Sequence, residues 1–534
     1  MALVADRDEG GQRDWRRLLA LAELAPGSAK MVRVDGRQIA LFNTEDGVRA
    51  CDNRCPHEGY PLSEGSLSSA CILTCNWHNW KFDLGSGDNL YGGDRLRVYP
   101  VEIRDGDIWV DLTELPYAKR YKAIRNNLHD AFDDYSYDRI ARETARLLRL
   151  GAEPMDVPRL AIDWSWRKLE FGWTHAYAGM ADWLTLYHEH RDHRELALVC
   201  LVESVSHVAY DVLRERDYPY AGDVASFDEA DFVEQIDKEN ESAALASIRG
   251  GIRDGLGFAD LEAALTRAAL LHYNDFGHSL IYVVKAGQLI ELLGEAVLEP
   301  VLLSLVRSLV FARREDRIPE FRAYARELKR WGKHKGRRAE PSAWRGLGIN
   351  KSLQAAVACS AEPPEKIYRA LLLANAANLL SFDIARQDRI RVPVSGNVGW
   401  LDFTHGLTFA NAVRRQCRRY PELWPEGLLQ MACFSGRNSA FATTQPDIEA
   451  WCADDPATQM QGLIETVLDH GQGEHIVSVH LLKTALAVRE EIAELEDDDA
   501  RLLVAALTRF FKSPLKRRQA RRTAHQSLQF VARE

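Results

Sequence analysis

The sequence predicts a multidomain protein in which a small all-β N-terminal domain precedes a large all-α domain built of repeated helical hairpins. Three observations carry that prediction. Short β-prone runs with Asp-Gly dipeptides fill the first fifth of the chain, long stretches of helical periodicity follow Pro116, and four of those stretches open on a histidine. At 534 residues the chain is also too long for one ordinary core.

The β-rich part comes first. Residues 31–34 lead into Asp35-Gly36, residues 38–42 into Asp46-Gly47, and Asp105-Gly106 into residues 108–110. Asp-Gly between apolar runs is a strong hairpin signal, because the tight turn needs positive φ. The expected result is an antiparallel β-sandwich or barrel. Within it stand Cys55-Pro56-His57 and Cys75-Asn76-Trp77-His78, so each of two loops offers one thiolate and one imidazole. Two chemistries use that donor set: a [2Fe–2S] cluster with two sulfur and two nitrogen ligands, and a Cys₂His₂ zinc site. Zinc fingers usually pair Cys with Cys and His with His, whereas both pairs here are mixed.

The flanking residues are Gly59-Tyr60-Pro61-Leu62 and Glu64-Gly65 after the first loop, and Trp80-Lys81-Phe82-Asp83 after the second. With these, residues 15–115 closely resemble the Rieske family. The resemblance implies a Rieske [2Fe–2S] cluster, with Cys55 and Cys75 on the buried iron and His57 and His78 on the outer one. Asn79 stands where ring-hydroxylating systems usually carry Gly, a departure that touches loop packing more than ligation. Tyr60 and Asn76 occupy the places of the extra loop cysteines of respiratory Rieske proteins, which implies a ferredoxin-like cluster of lower potential. Cys51 and Cys71 read as core residues.

Residues 116–160 read as a linker and connecting helix, with Gly151 as a helix C-cap. Residues 161–534 form the helical domain. In Rieske oxygenases the catalytic domain usually carries a D-x-x-H-x₄-H signature, and it is absent here. His188 and His193 have the x₄ spacing, but Thr185 stands three before His188 and the flanks look solvated. A weak internal repeat is more informative. Histidine heads an apolar helix at His175, His278, His405 and His480, and a second apolar helix follows each over residues 196–202, 300–310, 426–434 and 500–511. Such self-similarity points to helical hairpins that bury their faces on one another. Imidazoles at these positions either cap and pack, or converge as metal ligands, as facing helices of bundles allow.

The segments Asn274-Asp275-Phe276-Gly277-His278, Asp402-Phe403-Thr404-His405 and His480-Leu481-Leu482-Lys483 resemble the questin oxidase-like family. That resemblance implies O₂-dependent oxidation of aromatic polyketides at a mononuclear non-haem Fe(II). Carried over, the ligands are His175, His278, His405 and His480, with Lys483 as a carboxylated lysine. His480 and Lys483, three apart, share a helix face; otherwise Lys483 is an ordinary lysine snorkelling from an amphipathic helix. Lys285 ranks second as the lysine, and His272, His470 and His475 are spare imidazoles. Asp182, Asp275 and Asp402 could orient ligands through the far ring nitrogen, with helix capping preferred for Asp275 and Asp402. Trp173, Tyr177, Trp183, Phe276 and Tyr282 suit a flat substrate, but core is the better reading.

The whole chain thus reads as an oxygenase that passes electrons from the cluster to the helical domain's iron. An NAD(P)H-dependent reductase or ferredoxin would donate them, since no G-x-G-x-x-G fingerprint is present. The alternative is an electron-transfer protein whose helical domain binds a partner enzyme and holds no metal. A di-metal site is disfavoured, because no paired Glu-x-x-His motif is present. A net charge of −10 gives no nucleic-acid footprint, and the basic run at residues 512–522 reads as a solvated helix end. The charged first twenty residues, among them Asp6, Asp8 and Glu9, do not form a signal peptide, and no apolar run is long enough to span a membrane. Nine irregularly spaced cysteines point to a reducing cytoplasm. The oligomeric state is left open.

Overall fold

The computed structural model describes residues 13–333, 336–443, 447–452 and 455–534. Asp6, Asp8 and Glu9 lie outside the described residues. The chain separates into two compact units, Met1–Pro154 and Met155–Glu534. Residues 116–160 therefore supply two helices to the first unit and the start of a third to the second.

The strands of the first unit are β1 (Trp15–Ala20), β2 (Ala29–Val34), β3 (Arg37–Thr44), β4 (Gly47–Asp52), β5 (Ser66–Leu67), β6 (Ile72–Thr74), β7 (Lys81–Asp83), β8 (Asn89–Tyr91), β9 (Val98–Tyr99), β10 (Val101–Arg104) and β11 (Asp107–Asp111). They form three antiparallel sheets, in the orders β1-β11-β10, β2-β3-β4-β9 and β5-β6-β7-β8. Two of the expected Asp-Gly turns are two-residue hairpins with positive φ at both positions: Asp35 and Gly36 (47° and 77°) between β2 and β3, and Asp105 and Gly106 (50° and 81°) between β10 and β11. At Asp46-Gly47 the geometry differs. Gly47 already pairs with Thr44, so the turn residues are Glu45 and Asp46.

Strand period 2 divides the core. Ala40 and Phe42 of β3 face a cluster containing Cys55, Cys75, Leu62, Leu73 and Phe82, while Ile39 and Leu41 face Tyr99, Ile108 and Val110. Helices α1 (Tyr117–Asp133) and α2 (Tyr137–Leu150) complete the unit, and Gly151 ends α2 at φ 85° as expected. Arg139, Arg142 and Arg146 on one face of α2 all reach the carboxylate of Asp94, which is buried.

The second unit is helical. It runs α3 (Asp156–Ser165), α4 (His175–His190), α5 (Arg194–Asp211), α6 (Glu229–Asp237), α7 (Glu241–Arg253), α8 (Phe258–Leu270), α9 (His278–Leu293), α10 (Leu298–Val310), α11 (Tyr324–Leu328) and α12 (Ile349–Ala358). There follow α13 (Pro364–Leu380), α14 (Trp400–Arg419), α15 (Trp424–Asn438), α16 (Pro456–Leu468), α17 (His475–Ile492), α18 (Asp497–Lys512) and α19 (Ala520–Val531). The four repeats are the hairpins α4/α5, α9/α10, α14/α15 and α17/α18; His175 and His278 head their helices as expected, whereas α14 and α17 begin five residues before His405 and His480. Their first helices pack in a ring, α4 on α9, α9 on α14, α14 on α17 and α17 on α4. Each is buried on more than one face, which explains why their apolar residues lack a single stripe. Among the described residues no helix is long and apolar enough to cross a membrane.

Candidate metal centres

In the first unit, two loops built alike carry the Cys and His pairs. Cys55 N–H donates to Tyr60 O and accepts at its own carbonyl from Gly59 N–H; Cys75 N–H donates to Trp80 O and accepts from Asn79 N–H. The closing residue is left-handed in both, at φ 80° for Gly59 and 61° for Asn79. Asparagine tolerates that region, so the departure at Asn79 leaves the loop geometry intact.

The two thiols lie in the core, and the two imidazoles sit above them with His57 Nδ1 only 3.1 Å from His78 Nδ1. Each ring is braced by an indole. His57 stacks on Trp80 at 4.5 Å and His78 on Trp77 at 4.9 Å. Both Nε2 atoms lie 3.8 Å from the carboxylate of Glu58. A proton on each Nε2 answers that carboxylate and leaves the Nδ1 lone pairs directed at one another, a repulsive arrangement that a cation relieves. Desolvation pushes the Cys55 thiol up to about 12, with Cys75 adding to it, and burial lowers His57. Thiolates in so apolar a place need bound cations. Two sulfur and two nitrogen donors, with the nitrogens outermost, fit a [2Fe–2S] cluster.

In the second unit, the ring of helices brings four histidines together. His175 and His278 are the first residues of α4 and α9, and His405 and His480 stand one turn into α14 and α17. Ligand atoms of His175, His278 and His405 lie within 4.8 Å of one another. His278 Nε2 is 3.1 Å from His175 Nε2 and 2.8 Å from His405 Nε2. The His480 ring centre lies 4.8 Å from that of His175, and its Nε2 is buried with no hydrogen-bond partner among the described residues. Lys483 Nζ is 3.3 Å from His405 Nε2.

Hydrogen bonds decide where the lone pairs point. His405 Nδ1–H donates to Leu401 O and His480 Nδ1–H to Ile476 O, both at 2.6 Å. Only a protonated nitrogen can donate to a carbonyl, so both Nε2 atoms are bare and face the nest. His278 Nδ1 is 3.6 Å from Asp275 Oδ2, which directs its Nε2 inward as well. Burial first, and the Lys483 charge second, hold His175, His405 and His480 well below the usual histidine range. Burial also lowers Lys483 to about 7, against the pull of Asp182. Neutral imidazoles with converging lone pairs are the donor set of a nitrogen-rich metal site.

The approach to His278 is strained. Asp275, Phe276 and Gly277 have φ of 41°, 53° and 76° in succession. Glu315 accepts the Phe276 N–H at 3.0 Å and holds the segment in place. Asp275 is therefore not the N-cap of α9, a place taken by Gly277, and its carboxylate faces His278 instead. Asp402 does cap, but from inside the first turn of α14, accepting Gly399 N–H at 2.8 Å. Asp182 pairs with Lys285 at 2.6 Å.

The other sequence candidates lie elsewhere. His272 is held between Asp237 and Asp316, and His470 and His475 gather around Glu203. His188 bonds back to Leu184 O and His193 is the N-cap of α5. Trp173, Tyr177 and Trp183 are core, whereas Tyr282 stacks on His278 at 5.4 Å and Phe276 lies 6.0 Å from His405. Sequence reasoning missed Glu58, although its place beside His57 is a legible signal, and Glu315, whose role depends on a distant backbone. A cavity of about 400 Å³ opens onto His175, between Thr174, His207, Tyr210 and His475.

The Rieske [2Fe-2S] domain family model matches residues 14–99. Over 99 residues the chain is 38% identical to the 4beta-methylsterol monooxygenase of Methylococcus capsulatus, covering 16% of this chain and only 27% of that protein. It is 32% identical over 101 residues to the methanesulfonate monooxygenase ferredoxin subunit of Methylosulfonomonas methylovora, covering 19% of this chain and 82% of the relative. Among solved structures, the ferredoxin of carbazole 1,9a-dioxygenase from Nocardioides aromaticivorans is 26% identical, with a TM-score of 0.18, over 18% of this chain and 98% of that one.

Proposed function

From the premise that this chain belongs to the Rieske [2Fe–2S] family through residues 14–99, we propose that it is an O₂-dependent oxygenase acting on an aromatic small molecule. Cys55, His57, Cys75 and His78 would hold the cluster, which supplies one electron at a time. His175, His278, His405 and His480 would hold a mononuclear non-haem Fe(II), which would supply O₂ activation. The relatives named above as ferredoxins of oxygenase systems support the electron-transfer half. The resemblance to questin oxidase-like proteins supports the other.

One observation carries the reading: imidazoles from four repeated hairpins converge, His405 and His480 buried and His175 and His278 half-buried, with at least two bare nitrogens aimed inward by their own helix carbonyls. The chain's residues do the preparatory work. Leu401 O and Ile476 O hold the ligating tautomers, Asp275 orients His278, and Tyr282 and Phe276 pack their rings against His278 and His405. Lys483, neutral in part near pH 7, would take up CO₂ on Nζ with loss of a proton and become an anionic oxygen donor. An external NAD(P)H-dependent reductase or ferredoxin would deliver electrons to the first unit.

The test is a count of iron and acid-labile sulfide per chain on anaerobically purified protein. A ratio of about three iron to two sulfide supports the reading, two belonging to the cluster and one to the helical unit. About two to two, with no other metal present, overturns it and leaves an electron-transfer protein whose helical unit binds a partner.

A further inference from the structure

The basic run at residues 512–522 is exposed over most of its length, as expected, but it is more than a helix end. After α18 ends at Lys512 the chain leaves the helix and crosses the mouth of the 400 Å³ cavity before α19 begins. This strap is tied down on both sides. Lys516 N–H donates to Gln387 Oε1 at 3.0 Å, Gln387 Nε2 donates to Pro514 O at 3.2 Å, and Lys516 Nζ pairs with Asp388 at 3.1 Å. Beyond it, the buried Arg522 donates to Arg389 O and Arg386 O. The tethers leave Arg517 and Arg518 lining the cavity, and neither has an ion pair among the described residues.

We propose that this cavity is the substrate chamber of the helical unit and that it takes an aromatic carboxylate, whose anion meets Arg517 and Arg518 while its ring lies towards His175. The proposal rests on the metal reading above and adds the substrate class. Three features of the cavity support it. First, the cavity is of ligand size and has a proposed metal ligand, His175, in its wall. Second, that wall is aromatic: His207 and His475 stack at 5.0 Å and Tyr210 tilts over His475 at 5.7 Å. Third, the N-cap residues of two helices of the ring, Thr174 of α4 and Glu474 of α17, line it, so two positive helix ends face the space.

Burial and His475 lower His207 to about 3, so it adds no cation. Burial raises Asp211 to about 6, and its carboxylate is already engaged by Thr174 and the Ala176 N–H. Among the described residues Glu474 is the one exposed carboxylate in the wall, and it forms no ion pair with either arginine. A second hollow of about 260 Å³ continues past Glu474, Ile476 and Arg517, so Arg517 borders both spaces. Guanidinium binds carboxylate through two parallel N–H bonds, which gives direction as well as charge.

The test is calorimetric titration of the full chain as purified, with iron counted on the same sample, using naphthoate and its uncharged isostere naphthamide. Naphthoate is expected to bind about tenfold tighter, and R517Q/R518Q to bring the two within about threefold. Glu474→Gln is expected to tighten naphthoate severalfold while leaving naphthamide unchanged. Equal affinities in the wild-type chain, no naphthoate binding, a preference that survives R517Q/R518Q, or weaker naphthoate binding by E474Q would each overturn the proposal. The iron count separates the two ideas. A wild-type chain without iron in the helical unit defeats the metal reading while the naphthoate preference is still read on that sample, and R517Q/R518Q keeps whatever iron the wild type holds.

Discussion

His405→Ala is the sharpest perturbation of the helical site, because that imidazole approaches His278 at 2.8 Å and Lys483 at 3.3 Å. If it is a ligand, its loss weakens metal affinity by about 100-fold or more, the upper end of what even an outer hydrogen-bonding partner contributes. With Fe(II) at about 100 times the wild-type Kd, binding stabilises the folded chain by about 2.7 kcal/mol. A 100-fold weaker site would gain only about 0.4 kcal/mol at the same concentration. For a unit this large, each kcal/mol moves Tm by roughly 1–2 °C, so a metal-dependent rise of about 4 °C should shrink below about 1 °C. In the iron-free chain the change is smaller, because the substitution also removes the repulsion between the bare Nε2 of His405 and that of His278. The assay is anaerobic thermal denaturation with and without added Fe(II), paired with iron and sulfide counts. An H405A chain that keeps three iron per two sulfide and the full thermal gain would refute the assignment.

Three further outcomes are expected. Cys75→Ser should abolish acid-labile sulfide and leave about one iron per chain, showing that the two centres load independently; retention of sulfide would remove Cys75 from the cluster. Gly277→Ala places a Cβ 2.5 Å from the Phe409 ring at a φ of 76°, so it should destabilise the chain by about 3 kcal/mol and release iron from the helical unit while sulfide is retained. An unchanged denaturation midpoint would mean that the segment relaxes freely. Burial raises Glu143 from 4.5 to about 7, so its contribution is fully present below pH 4.5 and is lost as pH rises through 7. Glu143→Gln should therefore gain on the wild type across that window, by at most about 3 kcal/mol above it. Urea denaturation at several pH values, followed at the cluster's visible absorption, checks this, and a difference that stays flat or falls with pH would refute it.

Much of this protein is written in short stretches of sequence. Asp35-Gly36 and Asp105-Gly106 specify their hairpins because two adjacent residues must both adopt positive φ. The mixed Cys/His pairs announce the cluster loops, since each loop closes on itself between a cysteine and the fourth and fifth residues after it. The four helical hairpins were legible from repetition, and so were their histidines. Even the tautomers of His405 and His480 are local, each set by the carbonyl four residues earlier.

Other features were not legible. Asp275 looked like a helix cap, but Phe276 is held left-handed by Glu315, and the cap passes to Gly277. Lys285 looked available to the nest, but Asp182 from α4 takes it. The run of basic residues at 512–522 looked like a helix end and no more, and only Gln387, Asp388 and Arg389, far away in the chain, turn it into a strap across a cavity. The sequence by itself determined which elements form and which atoms their hydrogen bonds free, because those depend on neighbours within a turn or two. Which freed atoms meet was decided by the tertiary structure alone, because convergence requires four helices to pack in one ring, and packing is a property of surfaces that no single stretch of residues contains.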